Sequence, residues 1–325
     1  MDRLKTTTIA LFVLIGSAAM GQTVADADSY FNKGEYQQAM EAYRNLLKKK
    51  PKDALYNYRL ACSAYMLGDK ELAIDHFKLS ATKHPMAYLY LGGMFFDKYY
   101  FENAAEAYRS YIANPAPDEK SLDEIKRKLA QAELGARFLK RVENIVIVDS
   151  MVVEKSSFMS RFKPADKIGS LTQNPGLPGG NFGGLAYTTQ RGDRSYFSKI
   201  VDEHFDLFTK NKLLSDWSEE LPLTDLNTKD NENFPFLMLD GVTLYYASDG
   251  PESMGGYDIF VTRLNMSTNN FLKPENVGMP YNSPFNDYMM VIDELHNVGW
   301  FASDRYLPED KVAIYQFVPN AQKKI

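Results

Sequence analysis

Residues 32–51 read NKGEYQQAMEAYRNLLKKKP, and residues 66–85 read MLGDKELAIDHFKLSATKHP. Laid over each other, Gly34, Ala39, Tyr43 and Pro51 recur 34 residues on as Gly68, Ala73, Phe77 and Pro85. Each stretch reads as part of two short amphipathic helices with a Gly turn between them, so the repeating unit is a pair of short helices. Gly34 and Gly68 end the first helix of a pair, where a residue without a Cβ closes the turn most easily. Ala39 and Ala73 are small where two helices approach. Tyr43 and Phe77 fill the space one turn later on the same face. Pro51 and Pro85 stop the second helix and open the next unit.

This pattern resembles the tetratricopeptide repeat family over roughly residues 24–117. A third unit follows at a shorter offset: Leu60, Ala61, Ala73 and Phe77 recur 31 residues on as Leu91, Gly92, Ala104 and Tyr108. Tyr99 stands there where Gly68 stood, so the geometry of that turn is left open. Residues 121–141, SLDEIKRKLAQAELGARFLKR, form one more helix. Ser121 and Glu124 are spaced as a capping box, and Leu129, Ala132, Leu134 and Phe138 give the apolar face that covers the end of the stack. The resemblance implies right-handed stacking with a concave groove lined by the first helices. Tyr58, Cys62, Tyr65, Leu89 and Phe96 would then face inward, with Tyr58, Tyr65, Leu89 and Phe96 as candidate partner-binding residues for an extended peptide or a helix. The alternative is that these side chains pack within the stack or against the region that follows. Lys48, Lys49 and Lys50 read as a solvated helix end favoured by the helix dipole.

After Arg141 the period changes. Residues 142–153, VENIVIVDSMVV, are β-branched and strand-like, and residues 164–184 read as loop from their Pro, Gly and polar content. A second repeat governs the rest. YYASD at 245–249 returns as WFASD at 300–304, and Asn227-Thr228 returns as Asn282-Ser283, both 55 residues on. Tyr196-Phe197-Ser198-Lys199 aligns with Tyr246-Ala247-Ser248-Asp249 at an offset of 50, and Asp206-Leu207-Phe208 matches Asp258-Ile259-Phe260. The third copy has Ala313-Ile314-Tyr315 at that place. Each unit is strand, turn, aromatic-Ser-Asp strand, Gly-rich turn and Asp-Ile-Phe strand, the cadence of a propeller blade. YYASDGPESMGGYDIFVTRLN resembles the PD-type β-propeller repeats related to the Tol-system propeller. The repeat signature residues are Ser248, Asp249, Tyr257 and Asp258 in the middle unit and Ser303 and Asp304 in the last. Two to three units are too few to close a ring, so the expectation is an open arc. The segment 144–153 would cover one free edge and another chain or a further segment the other, and a bare edge would drive self-association.

The expected organisation is multidomain, α then β: signal peptide at 1–21, helical repeats with a capping helix at 22–141, strand-like segment and linker at 142–184, all-β repeats of an incomplete propeller at 185–319, and a tail at 320–325. Arg3 and Lys5, the short apolar run IALFVLI at 9–15 and the small residues before Gln22 read as a secretory signal rather than a bilayer span, which needs about 20 apolar residues. No other stretch is apolar enough to cross a membrane. The net charge is −5, which gives no footprint for nucleic acid. Cys62 is the sole cysteine, so no internal disulfide forms. His76, His84, His204 and His296 have no metal-ligand spacing. Asp249, Asp258 and Asp304 suggest calcium, but aspartate accepting backbone N–H bonds in a tight turn explains the same positions. No GxSxG elbow occurs, and Ser198, Ser248 and Ser303 read as structural parts of the repeat. No cofactor, metal or enzymatic activity is expected. Together these features resemble periplasmic, outer-membrane-associated proteins of the Bacteroidetes, some of them parts of type IX secretion or gliding machinery. The resemblance implies an exported scaffold for protein partners in the envelope. A carbohydrate- or peptidoglycan-binding module is the alternative, and a hydrolase with non-adjacent active residues a remote third.

Overall fold

The computed structural model describes residues 23–116, 122–161, 166–173 and 184–319. The signal segment and Ser121 of the expected capping box lie outside these residues. The chain divides into two compact units, one up to Leu91 and one from Gly92.

The first unit holds α1 (Val24–Asn32), α2 (Tyr36–Lys49), α3 (Ala54–Met66), α4 (Lys70–Ser80) and the start of α5 (Met86–Asp97). Side chains satisfy the first free N–H groups of three of these helices. Thr23 and Asp26 form a reciprocal capping box on α1. Asp53 accepts from Tyr56 N–H and Asp69 from Leu72 N–H, both at 3.1 Å. Gly34 and Gly68 adopt φ of +77° and +83°, the left-handed turn for which glycine is suited. Ala39, Tyr43, Ala73 and Phe77 are all fully buried between the paired helices.

The turn after α5 shows how the irregular third unit survives. Tyr99 takes φ 62° and keeps the bonding of the glycine turns. Tyr99 N–H donates to Phe96 O and Tyr100 N–H to Phe95 O, as Gly68 N–H does to Tyr65 O and Asp69 N–H to Ala64 O. The left-handed geometry is thus retained without glycine, at a local cost of roughly 1–2 kcal/mol.

The second unit begins with the end of α5, then α6 (Phe101–Ala113) and α7 (Leu122–Leu139), followed by three antiparallel sheets. The first sheet has the order β2 (Ser170–Gln173), β3 (Leu185–Thr188), β4 (Arg194–Val201), β5 (His204–Asn211) and β6 (Leu221–Pro222). The second places β7 (Glu232–Leu237), β8 (Thr243–Ser248) and β9 (Asp258–Asn265) side by side, with β10 (Asn270–Phe271) and β11 (Glu275–Asn276) both on β9. The third runs β12 (Asp287–Asp293), β13 (Val298–Ser303), β14 (Lys311–Val318) and then β1 (Val146–Glu154). β7 packs on β3, β4 and β5, and β12 packs on β7, β8 and β9, so the sheets fan out as a propeller-type arc around one apolar core.

The segment from β1 to β2 clasps this arc. β1 pairs with β14 from Val146↔Val318 to Glu154↔Lys311, and β2 pairs with β3 from Ser170↔Thr188 to Gln173↔Leu185. The strand-like segment therefore lies on the outer edge of the last sheet. The stretch 164–184, read above as loop, contains β2; a four-residue polar strand held by backbone bonds leaves no compositional mark. Between the two strands, α8 (Phe158–Arg161) puts the Phe158 ring, 1% exposed, against Phe234 of β7 and Tyr288 of β12.

The sheets also correct one register. Paired aromatics stack at the same place in each: Phe197 on Phe208, Tyr246 on Phe260 and Phe301 on Tyr315. Strand pairing then puts Lys199, not Ser198, level with Ser248 and Ser303. The expected serine repeat fails in the first sheet because the aromatic stack, not the Ser, sets the register.

Candidate functional site

In the first unit the flagged rings join others into one aromatic run. Tyr58 of α3 stacks on His84 at 5.0 Å and meets Phe77 edge-on at 5.9 Å. Phe77 stacks on Tyr90 at 4.8 Å, and Tyr90 meets the edge of Tyr65 at 5.1 Å. Tyr58 is half-buried, whereas Tyr65 is 37% exposed and is followed by Met66 and Leu67 at 57% and 44%. Leu89 is half-buried, and Cys62 is buried with its thiol pushed up to about 11 by burial. Arg59 places its guanidinium 4.3 Å from the Phe31 ring centroid, and its buried Nε has no hydrogen-bond partner among the described residues. Burial, helped by the Arg59 charge, lowers the His84 pKa and favours the neutral ring. Tyr58 and Tyr65 were singled out in the sequence through the family resemblance. Tyr90, His84 and Arg59 were not, because nothing in one sequence tells which rings of successive helices meet.

Phe96 has different company. It lies edge-on to Phe101 at 5.3 Å and packs in a cluster with Met254 and Met279, joined by Leu134 and Phe138. The helices of the second unit dock through this cluster on the loops before β9 and β12. Gln131 Nε2 donates to Gly255 O at 2.8 Å, and Arg127 reaches Asp249 O and Asp230. Phe96, Tyr108, Lys128 and Gly256 line an adjoining cleft of about 300 Å³.

The repeat residues of the β region form a hydrogen-bonded latch that recurs from sheet to sheet. Asn227 accepts from Leu207 N–H and donates to Leu207 O, and Asn282 does the same with Ile259. Asp249 takes both the backbone and the side-chain N–H of Asn231, and Asp304 both those of Asn286. Ser248 donates to the buried Glu232 at 2.7 Å, where Thr228 also donates. Asp287, level with Glu232, accepts from Ser283 and from Arg305 at 2.6 Å. Asp249 and Asp304 thus each hold two N–H donors, and Asp287 holds an O–H and an N–H donor. Tyr257 packs against Phe234 of the second sheet and Tyr288 of the third. Gly255 is required by closeness: a Cβ there would meet Ser283 O and Phe285 O at 2.5 Å.

Burial, with the nearby Asp287 charge, pushes Asp258 up to about 8 although Met254 N–H, Gly255 N–H and Asn276 donate to it. Burial acts the same way on Asp304, but bonds from Lys155, Tyr288 and Asn286 outweigh it and hold the carboxyl below its usual value. The serines considered as nucleophiles have other partners: Ser198 donates to Asn233, and Ser303 accepts from Arg305 Nε. His204 pairs with Asp206 and His296 with Asp293. Among the described residues, no group of three or more His, Cys, Asp or Glu side chains is arranged to hold a metal ion.

Residues 24–85 match the sequence model of the tetratricopeptide repeat family. The paired helices of the first unit are thus similar to that family over these residues. No curated protein matches the chain at a significant level. Among solved structures, the Sgt2 tetratricopeptide repeat domain from Aspergillus fumigatus is similar at 23% identity, covering 42% of this chain and 90% of that one, with a TM-score of 0.31.

Proposed function

We propose that the protein is an exported, non-enzymatic scaffold of the cell envelope, which holds a protein partner on its tetratricopeptide repeats and uses the β arc as a rigid platform. The observation that carries this reading is the aromatic run of the first unit, which ends in solvent at Tyr65 beside the exposed Met66 and Leu67. Rings presented beside apolar side chains suit capture of an extended segment or a helix. The basic, apolar and small-residue order of the first 21 residues supports export to the periplasm, and the PD-like repeat supports association with the outer membrane and with secretion machinery.

The test is photocrosslinking from position 65 in native envelopes, with Tyr65→Ala and Tyr58→Ala as partner-loss variants. A discrete protein adduct, lost on Tyr58→Ala, is the expected result. An absence of protein adducts together with retention of the purified chain on cell-wall glycan would favour the carbohydrate-binding alternative instead. N-terminal sequencing of envelope-derived protein should begin at or near Gln22, and an intact Met1 would remove the assignment to an exported compartment.

A further inference from the structure

The three sheets finish very differently at their outer edges. The first ends in β6, two residues including Pro222, and the second in β10 and β11, two residues each. Such short edges give little purchase to another strand. The third ends in β1, which runs for nine residues and carries apolar side chains in water on both faces. Val146, Ile147, Val148, Met151 and Val152 are 64%, 44%, 57%, 46% and 57% exposed.

The free hydrogen-bonding side of β1 can be read from its neighbours. Lys155 N–H donates inward to Asp310 O at 2.9 Å, next to β14. By the period of two, the N–H groups of Val153 and Met151 also face β14, and those of Glu154, Val152 and Ser150 face away. Ser150 N–H is accordingly taken by the Asp149 carboxylate at 2.8 Å. A bulge between Ile147 and Asp149 further breaks the first half of the edge. Both protections stop at Ser150, and among the described residues nothing caps the N–H of Val152.

We propose that β1 pairs antiparallel with β1 of a second copy of this chain, joining two third sheets edge to edge. A strand filling this edge must itself have an open edge and apolar residues on both faces, and β1 meets both needs under a two-fold axis. Centring that axis on Val152 sets Val152 opposite its own copy, Met151 opposite Val153 and the uncharged Ser150 opposite Glu154. No acid then faces an acid, whereas centring on Asp149 would oppose two aspartates.

Sedimentation of the full mature chain over a wide concentration range tests this. The wild type should dimerise. Val152→Pro removes only an outward N–H, and Val152→Lys puts like charges together; both should be monomeric with unchanged circular dichroism. Val152→Cys should give a disulfide-linked dimer under mild oxidation, because directly opposed residues lie within disulfide reach. Ser156→Cys, beyond the strand, should not. A wild type that stays monomeric at the highest concentration would overturn the proposal. So would a dimer that persists in both Val152→Pro and Val152→Lys, or one that Val152→Cys fails to link, since the contact would then lie on another face.

Discussion

Two adjacent glycines in α5 separate the reasons a sequence has for glycine. A Cβ on Gly92 would come within 2.4 Å of the Tyr108 ring, while a Cβ on Gly93 would meet nothing within 4 Å. Gly92→Ala should therefore destabilise by about 1–3 kcal/mol through overpacking. Gly93→Ala should stabilise by about 0.5–1 kcal/mol through helix propensity. Denaturant midpoints of the two variants should move in opposite directions. Asp258 supplies a pH signature. Its folded pKa, raised to about 8 by burial, lies above the unfolded value near 3.8, so the native state holds an extra proton between them. Its contribution to stability is complete below the unfolded pKa and is lost as pH rises through about 8. The fall in unfolding free energy from pH 5 to 8 should be shallower in Asp258→Asn than in wild type, measured by denaturation at each pH. At this scale the sequence was most legible where a residue type is imposed by geometry. Gly34, Gly68, Asn227 and Asn282 recur because each turn or latch demands them. Tyr99 concealed a turn of the same kind, because a non-glycine residue at φ 62° leaves no trace in composition.

Elements were legible when their period was long and failed when they were short. The 34-residue repeat falls on α2 and α4, and Ala73 is fully buried. Ala73→Leu should overpack that contact and cost about 1–3 kcal/mol, visible as a lower melting temperature. The clasp from β1 to β2 was only half legible. β-branched residues marked β1, but β2 lies in polar sequence, and Phe158 has no periodic neighbours to announce its burial. Phe158→Ala should cost about 3–5 kcal/mol, because the ring fills the space between β7 and β12. Guanidinium unfolding followed by Trp fluorescence, reporting on Trp217 and Trp300, would measure it.

For the molecule as a whole, the order of helical repeats followed by strand repeats could be read from two periods, because each period belongs to one kind of secondary structure. The division within α5 could not, since it depends on Phe96, Phe101 and Phe138 meeting Met254 and Met279, residues far apart in the chain. Pairing of copies along β1 has a consequence at this scale: the melting temperature should rise with protein concentration, each tenfold increase adding up to about 1.4 kcal/mol to the apparent stability. A melting temperature independent of concentration would match a monomer. The clasp also fixes when the arc can be finished. β1 is made about 160 residues before its partner β14, and Val146 must wait for Val318. During synthesis β1 is then an unpaired apolar ribbon with both edges open, and long-range pairing of this kind is slow to form. The hazard is one of timing: a chain stopped before Lys311 should fold its helical repeats and yet aggregate through a strand that β14 otherwise shelters on one side.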